Sequence, residues 1–227
     1  MEKLLYIALA PIVIILLTIY IKDKYEKEPV KLALTGTLYG IIISIPITFT
    51  EKYITNFAPN ENSIYYPFFI SFIVASFVEE TYKYIILKFL IWKNNNYNEP
   101  FDGILYAVYI SLGFAMIENI LYVFNPIIGG IYTAIARAIF SIPAHAIFGV
   151  YMGYYLSKEK FLKKIKIFSI LVPIFIHGIY DLLLFTKIKY SNIFFIMFFV
   201  YITIISLKRI NKYIKISPFK KVNIKNK

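Results

Sequence analysis

The chain has 227 residues, 59% of them hydrophobic and 19% aromatic, and its mean hydropathy is +0.66. Soluble domains are about 45–50% apolar, so an ordinary soluble fold is excluded. The lack of any cysteine rules out disulfides, thiolate metal ligands and a cysteine nucleophile. A net charge of +12 would suggest nucleic acid in a soluble chain, but here the basic residues fall in loops and the tail. They report membrane topology, and no nucleic-acid partner is expected.

A helix needs about 20 apolar residues to cross the hydrocarbon of a bilayer. The first candidate span, 3–21, has too long an apolar run for a signal peptide and is followed by "YIKDKYEKEP" rather than a small-residue cleavage site, so it reads as a retained helix. The second, 32–50, carries no ionisable residue in its interior. The third, 66–92, contains "VEETYKY" at its centre, which places Glu79, Glu80 and Lys83 at mid-membrane depth. The fourth, 102–124, begins at Asp102 and carries Glu118 and Asn119. The fifth, 130–156, carries Arg137 and His145, and the sixth, 167–186, carries His177 and Asp181. The seventh, 190–208, is again free of interior charge. The expected fold is therefore all-α: one polytopic domain over 1–227, with about seven transmembrane helices.

Seven spans place the two ends on opposite sides, and lysine and arginine bias decides which is which. One side collects 18 basic residues, from the loops after spans one, three and five and from the tail beginning at Lys208. The other side has four: Lys3, Lys52, Lys187 and Lys189. The expected arrangement is an amino terminus outside and a cytoplasmic carboxyl terminus, in a multi-pass protein of the cell membrane.

An ionisable group at the bilayer centre costs about 2.5–3.5 kcal/mol on insertion scales, so such groups are functional candidates by default. Here they are confined to four consecutive helices and follow helical spacing. Glu79 and Lys83, and His177 and Asp181, stand one turn apart. Arg137, Ser141, His145, Gly149 and Gly153 recur every four residues, a stripe suited to close helix packing. Pro143 and Pro173 lie near the two histidines, where they can loosen the helices. By depth, Glu80, His145 and His177 fall near mid-span, while Glu118 and Asp181 lie nearer the outer side, so a shared cavity would open outward. Asp102 and Lys88 sit near span ends, where they would snorkel to the interface.

At these residues the chain resembles the PrsW family of intramembrane proteases, distant relatives of the prenyl protease superfamily. The similarity begins at "DKYEKEP" and continues with Glu79, Glu80 and Lys83 in "VEETYKY" and with Phe114 and Glu118. It ends with Arg137 and His145 in "RAIFSIPAHAIFG" and with His177 and Asp181 in "HGIYD". Prenyl proteases carry an arginine in the first motif and a histidine in the second, where this chain has Lys83 and Glu118, so prenylated substrates are not implied. The resemblance implies an endopeptidase that cuts membrane-anchored proteins, such as anti-sigma factors, on the extracytoplasmic side. Its catalytic set would be Glu79, Glu80, Glu118, His145 and His177, supported by Lys83, Arg137 and Asp181. Two mechanisms stay open. His145, His177 and Glu118 suffice as ligands for a catalytic zinc, yet no H-E-x-x-H motif is present, and a metal-free glutamate mechanism fits equally. The residues also admit an ion- or proton-coupled transporter, although no inverted repeat is visible, and a catalytically silent scaffold.

Overall fold

The computed structural model describes residues 2–163, 165–186 and 189–220. Five of the basic residues used for the topology, Lys164, Lys187, Lys221, Lys225 and Lys227, lie outside the described residues. All regular structure described is helical. The helices are α1 (Glu2–Lys22), α2 (Val30–Thr55), α3 (Tyr66–Phe69), α4 (Val78–Ile91), α5 (Pro100–Val123), α6 (Ile131–Ala136), α7 (Ile142–Leu162), α8 (Phe168–Phe185) and α9 (Ser191–Lys215). Two π-helical segments, Ile70–Phe77 and Arg137–Ser141, join α3 to α4 and α6 to α7, so the described residues form seven rods. Six of these rods are long and apolar enough to cross a membrane. The remaining rod, 66–91, third in chain order, is helical from end to end but is interrupted by its π segment and by the charges of Glu79, Glu80 and Lys83.

Helices outlast the apolar runs that announce them. The second rod extends to Thr55 rather than 50, the fifth to Leu162 rather than 156, and the seventh to Lys215 rather than 208. Lysine and glutamate are good helix formers, so these helices run on past the hydrocarbon edge.

α5 is the axis of the molecule, buried along most of its length between α2 and α7. Small residues permit the approach. A Cβ on Gly153 of α7 would strike the carbonyl of Gly103 on α5, and one on Gly40 of α2 would strike the carbonyl of Ile110. The Gly149 and Gly153 positions are thus packing positions, as their spacing suggests. α1, α2 and α9 turn large apolar side chains outward, among them Ile14, Leu17, Phe49, Met197 and Tyr201. Such a surface would be intolerable in water and is what a lipid-facing wall requires.

Where α1 meets α2 and the fourth rod begins, the chain ties an acidic knot. Glu99 and Asp102 form a capping box at the start of α5, with Pro100 in the first turn. Asp102 Oδ2 accepts the amides of Asn98 and Glu99 at 2.9 and 2.8 Å. Asp102 therefore does not snorkel as its position suggests; it is fully buried. The phenol of Tyr106 donates to Glu28, and Asp23 accepts the Glu28 amide at 2.9 Å. Burial pushes the carboxyls of Glu28 and Glu99 up to about 7, opposed by hydrogen bonds from Tyr106 and Ser217 respectively. Burial likewise raises Asp23 to about 6, against the pull of the Glu28 amide. Lys88, still partly exposed, pairs with Glu159 at 3.0 Å and Tyr84 at 3.0 Å.

Candidate active site

The π segment Ile70–Phe77 ends one residue before the first motif. Extra-wide turns of this kind concentrate at functional sites, because they re-aim the side chains that follow. Here Glu79, Glu80 and Lys83 all point inward and are at most 4% exposed. The i,i+3 and i,i+4 spacing lets one ammonium serve both acids. Lys83 Nζ lies 2.8 Å from Glu79 Oε2 and 2.8 Å from Glu80 Oε1. Its remaining direction faces His145 Nδ1 at 3.4 Å. Three protons thus meet three acceptors, and the Phe114 ring lies 4.3 Å from the nitrogen. Phe114 of the second motif accordingly has a role in holding Lys83.

With Nδ1 facing an ammonium, His145 accepts there and carries its proton on Nε2. That nitrogen donates to Glu118 Oε2 at 2.8 Å. The same Glu118 oxygen receives Arg137 Nη2 at 2.7 Å. Arg137 belongs to the second π segment, in front of Pro143, whose missing N–H cannot continue the ordinary ladder. Its Nε donates to Asn119 at 2.8 Å, and Asn119 donates to the Ala8 carbonyl at 2.8 Å. The guanidinium lies over Tyr122 at 4.2 Å. On the opposite side of the cluster, His177 Nδ1 is 3.1 Å from Glu80 Oε1 and its Nε2 is 3.2 Å from Asp181 Oδ2. Phe148 stacks on the His177 ring at 4.4 Å.

All eight residues singled out by spacing therefore belong to one polar network. It runs from Asp181 through His177, Glu80, Lys83, His145 and Glu118 to Arg137. A cavity of about 540 Å³ adjoins it, lined by Glu79, Glu118, Arg137, His145, His177 and Asp181. Glu80 and Lys83 are fully buried behind this wall. The lining residues run from mid-rod toward the ends near Tyr122, Thr133 and Phe185, on the same side as the amino terminus.

One acidic cavity residue escaped the sequence reading. Ending span two at 50 put Glu51 in a loop, but α2 continues to Thr55 and carries Ser44, Thr48 and Glu51 along the cavity wall. Their spacing of four and three residues was the available signal.

The donor set for a metal also differs from the one suggested by sequence. The described residues that bring three ligand atoms within 4.8 Å of one another are Glu79, Glu80 and His177. His145 and Glu118 are engaged with each other instead. Two carboxylates and an imidazole suit a catalytic zinc. Glu80 Oε2, buried and without a hydrogen-bond partner, leaves a lone pair free for such an ion.

Comparison with known proteins places the chain in a family. Residues 28–207 match the family described as "PrsW family intramembrane metalloprotease". The chain is 37% identical to Protease PrsW of Geobacillus kaustophilus, over 84% of each chain. It is 38% identical to Protease PrsW of Oceanobacillus iheyensis, over 81% of this chain and 84% of that protein. With Protease PrsW of Bacillus subtilis the identity is 36%, over 78% of this chain and 80% of that one. No solved structure matches the chain significantly. The chain belongs to the PrsW family of intramembrane metalloproteases and is a multi-pass membrane peptidase.

Proposed function

We propose that the chain is an endopeptidase that hydrolyses a peptide bond in membrane-anchored proteins, with anti-sigma factors the substrate class implied by the family resemblance. The whole described chain acts as one transmembrane domain, with its amino terminus and cavity mouth on the extracytoplasmic side. The observation that carries this reading is the union of acids and imidazoles from four helices beside one cavity. Peptide hydrolysis needs a base for water, a proton donor for the leaving amine and a positive group for the oxyanion.

Glu79 is the member of the glutamate pair that reaches the cavity, so it is the base that takes a proton from water and returns it to the leaving nitrogen. Glu80, fully buried, holds Lys83 and His177 in position. Asp181 orients His177 from the next turn. Arg137, anchored by Glu118, which His145 holds from the other side, presents its remaining guanidinium N–H groups on the opposite wall, where the carbonyl oxygen of a bound segment gains charge. Where a divalent metal ion is bound, Glu79, Glu80 and His177 would hold it, and it would supply Lewis-acid polarisation and a more acidic water.

The test is co-expression with candidate single-span proteins, comparing wild type with Glu79→Gln. Loss of the base is expected to slow appearance of the shortened product at least 100-fold, within the 10²–10⁴ range typical of general-base catalysis. Undiminished cleavage removes Glu79 from the mechanism. Metal analysis of the purified protein, paired with activity after chelation, separates the metal-dependent route from the glutamate-only route.

A further inference from the structure

Charges in the cavity wall are paired with one exception. Glu79 is bound to Lys83, Glu118 to Arg137 and His145, and Asp181 to His177. Glu51 also lines the cavity, and among the described residues no hydrogen bond or ion pair is made by its carboxylate. It is partly buried on α2, four residues before that helix ends, so it lies toward the cavity's mouth. Burial and the acids Glu79 and Glu118 disfavour a charge on it, while Lys83 and His177 favour one through space. Lys83 behind the cavity wall and Arg137 within it are already engaged by other acids. A low-dielectric cleft with one surplus sign focuses its field on whatever enters.

We infer that Glu51 is a specificity-determining residue, which receives a lysine or arginine side chain of the substrate segment as that segment enters the cavity. The inference rests on the proposed peptidase reading of the same cavity. Beside a neutral side chain a buried carboxyl without a partner is better protonated than charged, whereas an ammonium or guanidinium stabilises the Glu51 carboxylate and completes the pairing. An acidic side chain would add a like charge beside Glu51, Glu79 and Glu118 and be refused. The polar stripe of Ser44, Thr48 and Glu51 gives the entering segment a hydrogen-bonding edge along the cavity wall.

The experiment uses the full chain in proteoliposomes. Its probes are three synthetic single-span peptides that differ only in one residue, Lys, Gln or Glu, near the end matching the cavity mouth. Binding is measured with Glu79→Gln protein, which keeps the cavity but does not cut, and with the Glu79→Gln, Glu51→Gln double variant. The Lys peptide is expected to bind at least about fivefold more tightly than the Gln peptide, with the Glu peptide weakest. The added Glu51→Gln substitution brings the Lys and Gln peptides level, and Glu51→Lys in its place reverses the order in favour of Glu. Equal binding of the three peptides, binding of none, or an unchanged Lys-to-Gln ratio after Glu51→Gln overturns the assignment. Cleavage is scored separately with Glu79 intact. A preference that follows Glu51 while nothing is cut would contradict the peptidase reading and leave the role of Glu51 standing.

Discussion

Lys83 is the residue on which the two halves of the site meet. Its ammonium is shared by Glu79, Glu80 and His145, all within 3.4 Å, in a place with no access to solvent. Removing one partner of a buried ionic group leaves an uncompensated charge and costs about 3–5 kcal/mol. Lys83→Met is therefore expected to lower the thermal unfolding midpoint of the protein in detergent markedly, whereas Lys83→Arg retains the charge and part of the stability. A midpoint unchanged by Lys83→Met would mean that the ammonium is not the keystone of the cluster. The spacing of "VEETYKY" made the Glu79–Lys83 contact legible, since residues four apart on a helix must be neighbours. What it could not reveal is that Phe114, one motif away, lies against the same ammonium, because that contact depends on how α4 packs against α5. Nor could it show Glu79 at the cavity and Glu80 behind it; adjacent residues point about 100° apart, and packing decides which one faces open space.

At the scale of helices, α5 and α7 are held together by glycine. A Cβ at Gly153 would collide with backbone atoms of Gly103, while one at Gly149 would approach the Ala107 carbonyl at 2.9 Å. Gly153→Ala is accordingly expected to cost more than Gly149→Ala, with overpacking penalties of about 1–3 kcal/mol. Equal unfolding midpoints for the two variants would show that the interface is looser than this. The acidic knot at the opposite end of the bundle gives a second prediction. Glu28, Glu99 and Asp23 have raised values of about 7, 7 and 6. The folded state thus binds protons that the unfolded state has released between about pH 4 and 7, so stability falls as pH rises through that window. Unfolding midpoints measured across it should decline toward neutral pH, and Glu28→Gln should flatten the decline; a midpoint that rises with pH contradicts the account. The capping signal for this knot, Glu99 with Pro100 and Asp102, stands in the sequence. The π segments do not, since nothing in "ISFIVASF" distinguishes a wide turn from an ordinary one.

For the whole molecule, alternation of seven rods puts Glu2 and Lys215 at opposite ends. The cavity lies in the half shared with the amino terminus. Lysine counting supplies the proposed orientation, and it can be tested cleanly because the chain contains no cysteine. Single cysteines at the exposed loop positions Asn60 and Asn95 should react differently with an impermeant thiol reagent added to intact cells. Asn60→Cys is expected to be labelled and Asn95→Cys protected; the reverse pattern would place the cavity mouth in the cytoplasm. The number of rods was readable from hydropathy alone, whereas helix ends were missed by up to seven residues, and Glu51 was missed with them.

The most direct measurement is cleavage of a purified single-span substrate by the purified chain in liposomes, with Glu79→Gln and His177→Ala compared at matched thermal stability. The account predicts one new peptide end with wild type and essentially none with either variant. Wild-type rates in both correctly folded variants would show that the buried acids and imidazoles serve the fold and not the reaction.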